Sequence, residues 1–146
     1  MKTAYICGPL TDLSLAMQAP TKTFYVSIAD ALEKVHAGHR PFVPHEHCDP
    51  LLHASLTPND VYAIEAEQVT RRTSVLVVVP VAPSWGGGME VMMAHYSQVP
   101  IVVLRQIDLK VSRLLLGCPS IKMVITYDQC DEGVRMLANW YRKNLL

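Results

Sequence analysis

A serine, three consecutive glycines and an acid fall within one short stretch, Ser84-Trp85-Gly86-Gly87-Gly88-Met89-Glu90. Glycines at the opening of a helix let a ligand approach the backbone closely, and the unpaired amides of a first helical turn attract an anion. Ser84 adds a hydroxyl. Glu90 stands out because the helix expected from about Met89 to Ser97 is otherwise dominated by Met, Val and Ala. A carboxylate at that point either suits the helix dipole or is aimed into a cleft. Beside an anion-binding turn a second negative charge repels, so the pairing makes chemical sense where the carboxylate attacks or stabilises a developing cation. Cleavage of a glycosidic bond, with its oxocarbenium-like transition state, has that requirement.

The elements that must position this stretch alternate short apolar runs with helical periodicity, the pattern of parallel α/β folds. Thr3–Cys7 reads as a strand stopped by Gly8-Pro9. Phe24, Ile28, Leu32 and Val35 form one helix face ending near Gly38, and Pro41-Phe42-Val43-Pro44 reads as a second strand. Thr57-Pro58-Asn59-Asp60 carries a cap, a proline at the first helical position and an acid three residues after the cap, predicting a helix to about Arg72. Val75–Val79, apolar on both faces, predicts a central strand. Ile101–Leu104 and Met123–Thr126 predict two more strands. Short and long helices are expected at Val111–Leu116 and Glu132–Leu145. The expected fold is therefore a doubly wound, mostly parallel five-stranded sheet, a flavodoxin- or Rossmann-like three-layer sandwich in one domain over residues 1–146. Ligands in such sheets bind beyond the carboxyl ends of the strands. That rule selects the loop Gly8-Pro9-Leu10-Thr11-Asp12 and the glycine stretch as two sides of one site.

At these residues the chain resembles the nucleoside 2-deoxyribosyltransferase superfamily, and within it the 2'-deoxynucleoside 5'-monophosphate N-hydrolases. Tyr5-Ile6-Cys7-Gly8 is similar to that family's first strand and turn, and Ser84-x-Gly86-x-Gly88-x-Glu90 to its signature loop. Val111 to Gly117 resembles the segment that places a serine on the 5'-phosphate of the neighbouring subunit. The resemblance implies that Glu90 is the nucleophile toward the anomeric carbon and that Tyr5 orients it. It implies that Gly8, Ser84, Gly86, Gly88 and Ser112 surround sugar and phosphate; Leu10 and Thr11 of the first loop are also expected to bind substrate. It further implies a homodimer with a shared active site. Two departures stand out. The family's first-loop arginine is replaced by Leu10-Thr11-Asp12, and its Asp in the helix before the central strand falls on Ala66, leaving Glu65 as the preferred substitute acid.

His45, Glu46, His47, Cys48 and Asp49 are residue types that bind zinc, but neighbours so close along a chain rarely converge on one ion, so no metal is expected. His45, just past the second expected strand, is assigned instead to the substrate pocket. No organic cofactor is expected. Thirteen basic residues balance thirteen acidic ones, which disfavours nucleic-acid partners and favours a small nucleotide or nucleoside. No apolar run is long enough for a membrane span. Four cysteines without a C-x-x-C pair, and no signal peptide, fit a cytoplasmic protein. The reading is an enzyme that cleaves the base–sugar bond of a (deoxy)nucleoside 5'-monophosphate. A deoxyribosyltransferase and a non-catalytic nucleotide-binding module are its alternatives. A phosphoribohydrolase of the lysine-decarboxylase-like group would need an arginine and a longer P-G-G-x-G-T loop, and the chain has neither.

Overall fold

The computed structural model describes residues 1–146. Four parallel strands form one sheet in the order β1-β2-β3-β4, with β1 at Thr3–Cys7, β2 at Thr73–Val78, β3 at Ile101–Gln106 and β4 at Ile121–Tyr127. The expected fifth strand is corrected to a single bridge. Phe42 donates its N–H to the Ala4 carbonyl and accepts from the Ile6 N–H, both at 2.9 Å. Pro41 and Pro44 bracket Phe42, and neither has an N–H to extend the ladder. Pro44 instead opens a short helix, α2 (Pro44–Cys48), which the sequence reading did not anticipate.

Alternation along the strands divides the interior into two clusters. Ala4, Ile6, Val75, Val77, Val102 and Leu104 pack beneath α1 (Leu15–Val35) and α6 (Cys130–Leu145). Tyr5, Cys7, Leu76, Val78 and Val103 face the other way, toward Val91 and Ala94 of α4 (Trp85–Tyr96). Period two on β1 thus sends Tyr5 and Cys7 together to the side where the glycine stretch lies. β2 sits between β1 and β3 with its apolar side chains buried on both faces, as its sequence requires.

Helix α3 (Pro58–Glu67) starts at the expected place. Thr57 and Asp60 exchange side-chain and backbone bonds in a capping box. It gives way to one π-helical turn, Gln68–Arg72, which leads directly into β2. The helix α5 (Arg113–Leu116) is capped by Ser112, whose hydroxyl accepts from the Leu115 amide at 3.4 Å.

Candidate active site

Glu90 is 5% exposed, a carboxylate carried almost wholly into the interior of an apolar helix face. The helix that bears it begins earlier than the sequence reading had it. Ser84 caps α4 by accepting from the Gly87 amide at 3.1 Å, so Trp85, Gly86, Gly87 and Gly88 form its first turn rather than a preceding loop. Glu90 accordingly lies in the second turn, past the reach of the orphan amides. A carboxylate placed for the helix dipole would sit in the first turn, and none does.

Helical side chains lean toward the N-terminus, so Glu90 covers the turn made by Gly86 and Gly87. A Cβ at Gly86 would meet only Ser84 Oγ at 3.9 Å, and one at Gly88 would meet nothing within 4 Å. Packing does not demand glycine at either position; its effect is open space around the helix start.

Tyr5 donates its hydroxyl to Glu90 Oε1 from β1. Two residues on, Cys7 lies against the same turn, its thiol 3.7 Å from the Gly87 carbonyl. Burial pushes the Glu90 carboxyl up to about 7. The nearby Cys7 thiol and the hydrogen bond from Tyr5 act the other way by favouring the charged form, and the charge of Glu65 adds to the rise. Burial also raises Glu65, on α3, above the usual carboxylate range. The Tyr5 hydroxyl and Cys7 thiol are driven far up, first by burial and then by Glu90, so both remain protonated donors at neutral pH.

A cavity of about 700 Å³ opens at the carboxyl ends of β1 and β2. It brings together Cys7, Gly8, Ser84, Gly88 and Ser112 of the expected region, with Lys110 beside Ser112. Leu10, Thr11, His45, Glu65, Gly86, Tyr5 and Glu90 lie outside its lining. Gly8 has a second reason to be glycine, since a Cβ there would fall 2.2 Å from the Tyr25 hydroxyl. That hydroxyl donates to the Pro9 carbonyl at 2.8 Å, and Gln18 Nε2 donates to the Leu10 carbonyl at 2.9 Å, so α1 holds the first loop from beneath.

His45 and His47 diverge on α2. His45 is buried beside the Tyr25 ring, and its Nδ1 has no hydrogen-bond partner; burial lowers its proton affinity and favours the neutral ring. His47 stacks on Phe42 at 4.4 Å, and Phe42 stacks in turn on Tyr5 at 5.1 Å. Arg40 ties α2 to α1 by reaching Glu46 at 2.6 Å, Asp30 at 2.8 Å and Glu33 at 3.0 Å. Cys7 is the site residue that sequence reasoning missed. Its spacing from Tyr5 on an expected strand carried the signal.

No protein-family model matches the chain, and no curated protein matches it in sequence. Solved structures do match in fold. A CMP N-glycosidase of Clostridium botulinum, BcmB, superposes with a TM-score of 0.70 at 16% identity, over 95% of this chain and 99% of that one. BlsM gives 0.71 at 19% identity, over 97% and 90%. A conserved protein of Enterococcus faecalis V583 gives 0.56 at 16%, over 93% and 87%. The resemblance read from the strand and loop motifs is borne out at the level of fold.

Proposed function

We propose that this chain is an N-glycosidase that releases the base from a (deoxy)nucleoside 5'-monophosphate through a glycosyl–enzyme ester on Glu90. The observation that carries the reading is a buried carboxylate, oriented by a tyrosine hydroxyl, on a helix whose first turn holds three glycines. A structural carboxylate would be paired with a cation, whereas Glu90 has only neutral donors and the nearby charge of Glu65. Such a site favours a developing positive charge and leaves a place for it.

In the proposed reaction a Glu90 oxygen bonds to the anomeric carbon as the bond from that carbon to the base nitrogen breaks. The electron pair leaves with the base, which takes a proton from Glu65. Water then attacks the anomeric carbon, the ester bond to Glu90 breaks, and Glu65 accepts the water's proton. Glu90 attacks in its ionised form, and burial, which raises the proton affinity of Glu65, suits that second carboxyl to give and take the proton. Tyr5 fixes the attacking oxygen. Gly8, Ser84, Gly86, Gly88 and Ser112 receive sugar and phosphate, with Leu10 and Thr11 at the rim. The unpartnered Nδ1 of His45 offers a hydrogen bond to base or sugar. No metal or organic cofactor enters this scheme.

Trp85, Met89, Met92 and Tyr96 recur at helical spacing along the outside of α4, with Trp85 90% and Tyr96 80% exposed. A stripe of this kind on a small enzyme marks a contact surface. Leu114, two residues past Ser112, continues the apolar exposure. A second copy of the chain, paired through this stripe, is part of the proposal. Sedimentation should give a dimer for the unmodified chain and a monomer for Tyr96→Glu; monomers for both would remove the homodimer.

The reaction is tested by chromatographic detection of free base from a panel of deoxy- and ribonucleoside 5'-monophosphates and the matching nucleosides. Base released from one monophosphate, without an added acceptor base, supports the hydrolase. Release that needs an acceptor moves the assignment to a transferase. Ligand binding without release from any substrate leaves a nucleotide-binding module. The open space at the start of α4 has its own test. Gly86→Leu should keep or raise Tm, since leucine is about 1 kcal/mol better than glycine in a helix. The same variant should lower kcat/KM about a hundredfold by misplacing the sugar; unchanged kcat/KM would mean the sugar approaches from elsewhere.

A further inference from the structure

The cavity at the carboxyl edge of the sheet and the Glu90 carboxylate lie on different flanks of α4. Ser84, Gly88, Val91, Met92 and His95 line the cavity, and their spacing of three and four puts them on one face of the helix. At about 100° per residue Glu90 falls nearly opposite, on the flank toward α3. The glycine turn stands between the two flanks, with open space where side chains at Gly86 and Gly88 would be. Bare helix backbone measures roughly 5 Å between opposite Cα positions, a width that a sugar ring with its 5'-methylene spans.

The facing wall of the cavity includes Leu109, Lys110, Val111 and Ser112, from the segment that follows β3. β3 runs parallel to β2, so this segment leaves the sheet at the edge where α4 begins, whereas His95 lies two turns down the helix. Lys110 is the one Lys or Arg in the lining, and no Asp or Glu joins it; Asp12 and Asp108 both lie outside. Its ammonium has no ion pair within the chain, while Lys22 is held by Asp49, and Arg40 by Asp30, Glu33 and Glu46. Ser84 and Ser112 accept from backbone amides, which leaves each hydroxyl proton free to be donated. An unpaired cation and two hydroxyl donors at one end of a largely apolar pocket suit a ligand with one anionic end.

We propose that Lys110 is a specificity-determining residue: its ammonium, with the hydroxyls of Ser84 and Ser112, takes the 5'-phosphate on the α5 flank of α4, while the sugar crosses the glycine turn to reach Glu90 on the other. The chain thereby selects nucleoside 5'-monophosphates over nucleosides, which have nothing to offer the ammonium. This arrangement also resolves the repulsion between a bound phosphate and a nucleophilic carboxylate, because the helix backbone separates the two charges. Lys110 is exposed, so its attraction for phosphate is screened by salt. The place of the sugar rests on the proposed reaction, but the preference for a phosphorylated ligand is a property of binding and is measured without turnover.

The test is calorimetric binding of the common deoxynucleoside 5'-monophosphates and their nucleosides, in a Glu90→Gln background so that no ligand is consumed. Lys110→Met keeps the stem and removes the charge. It should weaken the best-bound monophosphate by about tenfold or more, the loss of one charge-assisted contact, and leave the matching nucleoside unchanged. Lys110→Arg should keep most of the preference. Lys143→Met, the same change of net charge on α6 across the sheet, should keep all of it. Added salt should erode the preference of the Lys110 protein and have little to erode in Lys110→Met. The Lys110 side chain makes no hydrogen bond in the fold, so Tm should be the same in all of these proteins. Equal losses for monophosphate and nucleoside, an unchanged preference in Lys110→Met, or no preference in the parent would each overturn the proposal. A preference that follows Lys110 in a chain that releases no base keeps the phosphate site and refutes the proposed reaction. Base release by a chain whose preference ignores Lys110 does the reverse.

Discussion

Glu90→Gln should reduce base release by at least about a thousandfold while leaving nucleotide binding within a few fold, since loss of a covalent nucleophile removes the reaction path and not the pocket. The substitution keeps the volume of the side chain and still accepts the Tyr5 hydroxyl through its amide oxygen. What it removes is the negative charge and the bond to the anomeric carbon. Kinetics of the unmodified chain should show the same group from another side. With burial holding the Glu90 carboxyl at about 7, the competent ionised form is lost below neutrality, and kcat/KM for a nucleoside substrate should fall tenfold per pH unit on that limb. The residual rate of Glu90→Gln should lack this limb. A variant that retains more than a tenth of the activity, or whose rate keeps the limb, would assign the chemistry to another residue.

The sequence displayed the sheet more clearly than the site. β2 was legible because an uninterrupted run of Val and Leu between a capped helix and a Pro/Gly segment has few other places to go. The fifth strand was misread because Phe42 and Val43 carry strand propensity, while the two prolines beside them remove the donors a ladder needs. The start of α4 was misread for a related reason. Glycine lowers helix propensity, and only the bond from the Gly87 amide to Ser84 shows that the turn is already helical. No spacing rule brings Tyr5 to Glu90, which lie eighty-five positions apart; that contact was implied by the family resemblance and depends on β1 being adjacent to β2. The partition of His45 to the interior and His47 onto Phe42 was not legible either, because α2 is one short turn whose orientation is set by Arg40 and its three carboxylates.

The charge on Glu90 that serves the chemistry should weaken the fold, and the same variant measures by how much. A carboxyl whose folded-state proton affinity exceeds its unfolded one favours the folded state below the unfolded pKa, and that contribution is lost as pH rises through the folded pKa. For Glu90 the window runs from about 4.5, the ordinary value, to about 7. Across it the unfolded chain has released the proton that the folded chain still holds, so stability of the unmodified protein declines with rising pH. Above it both states are ionised and the decline ends. Glutamine does not titrate, so Glu90→Gln should gain on the unmodified chain through this window. The advantage should level off above neutral pH at about 3 kcal/mol, the free energy of holding one carboxylate in this site. Glu65 titrates in the same sense in both proteins and largely cancels from the difference, while relief of its repulsion by Glu90 adds slightly to the variant's gain. Urea unfolding at pH 5 and pH 8 is the measurement. A variant more stable at pH 8 than at pH 5, relative to the unmodified chain, and inactive at both, identifies Glu90 as a group retained against the interest of stability. Equal differences at the two pH values would mean that the buried carboxylate has found compensation, and with it the strongest physical argument for a reacting role would go.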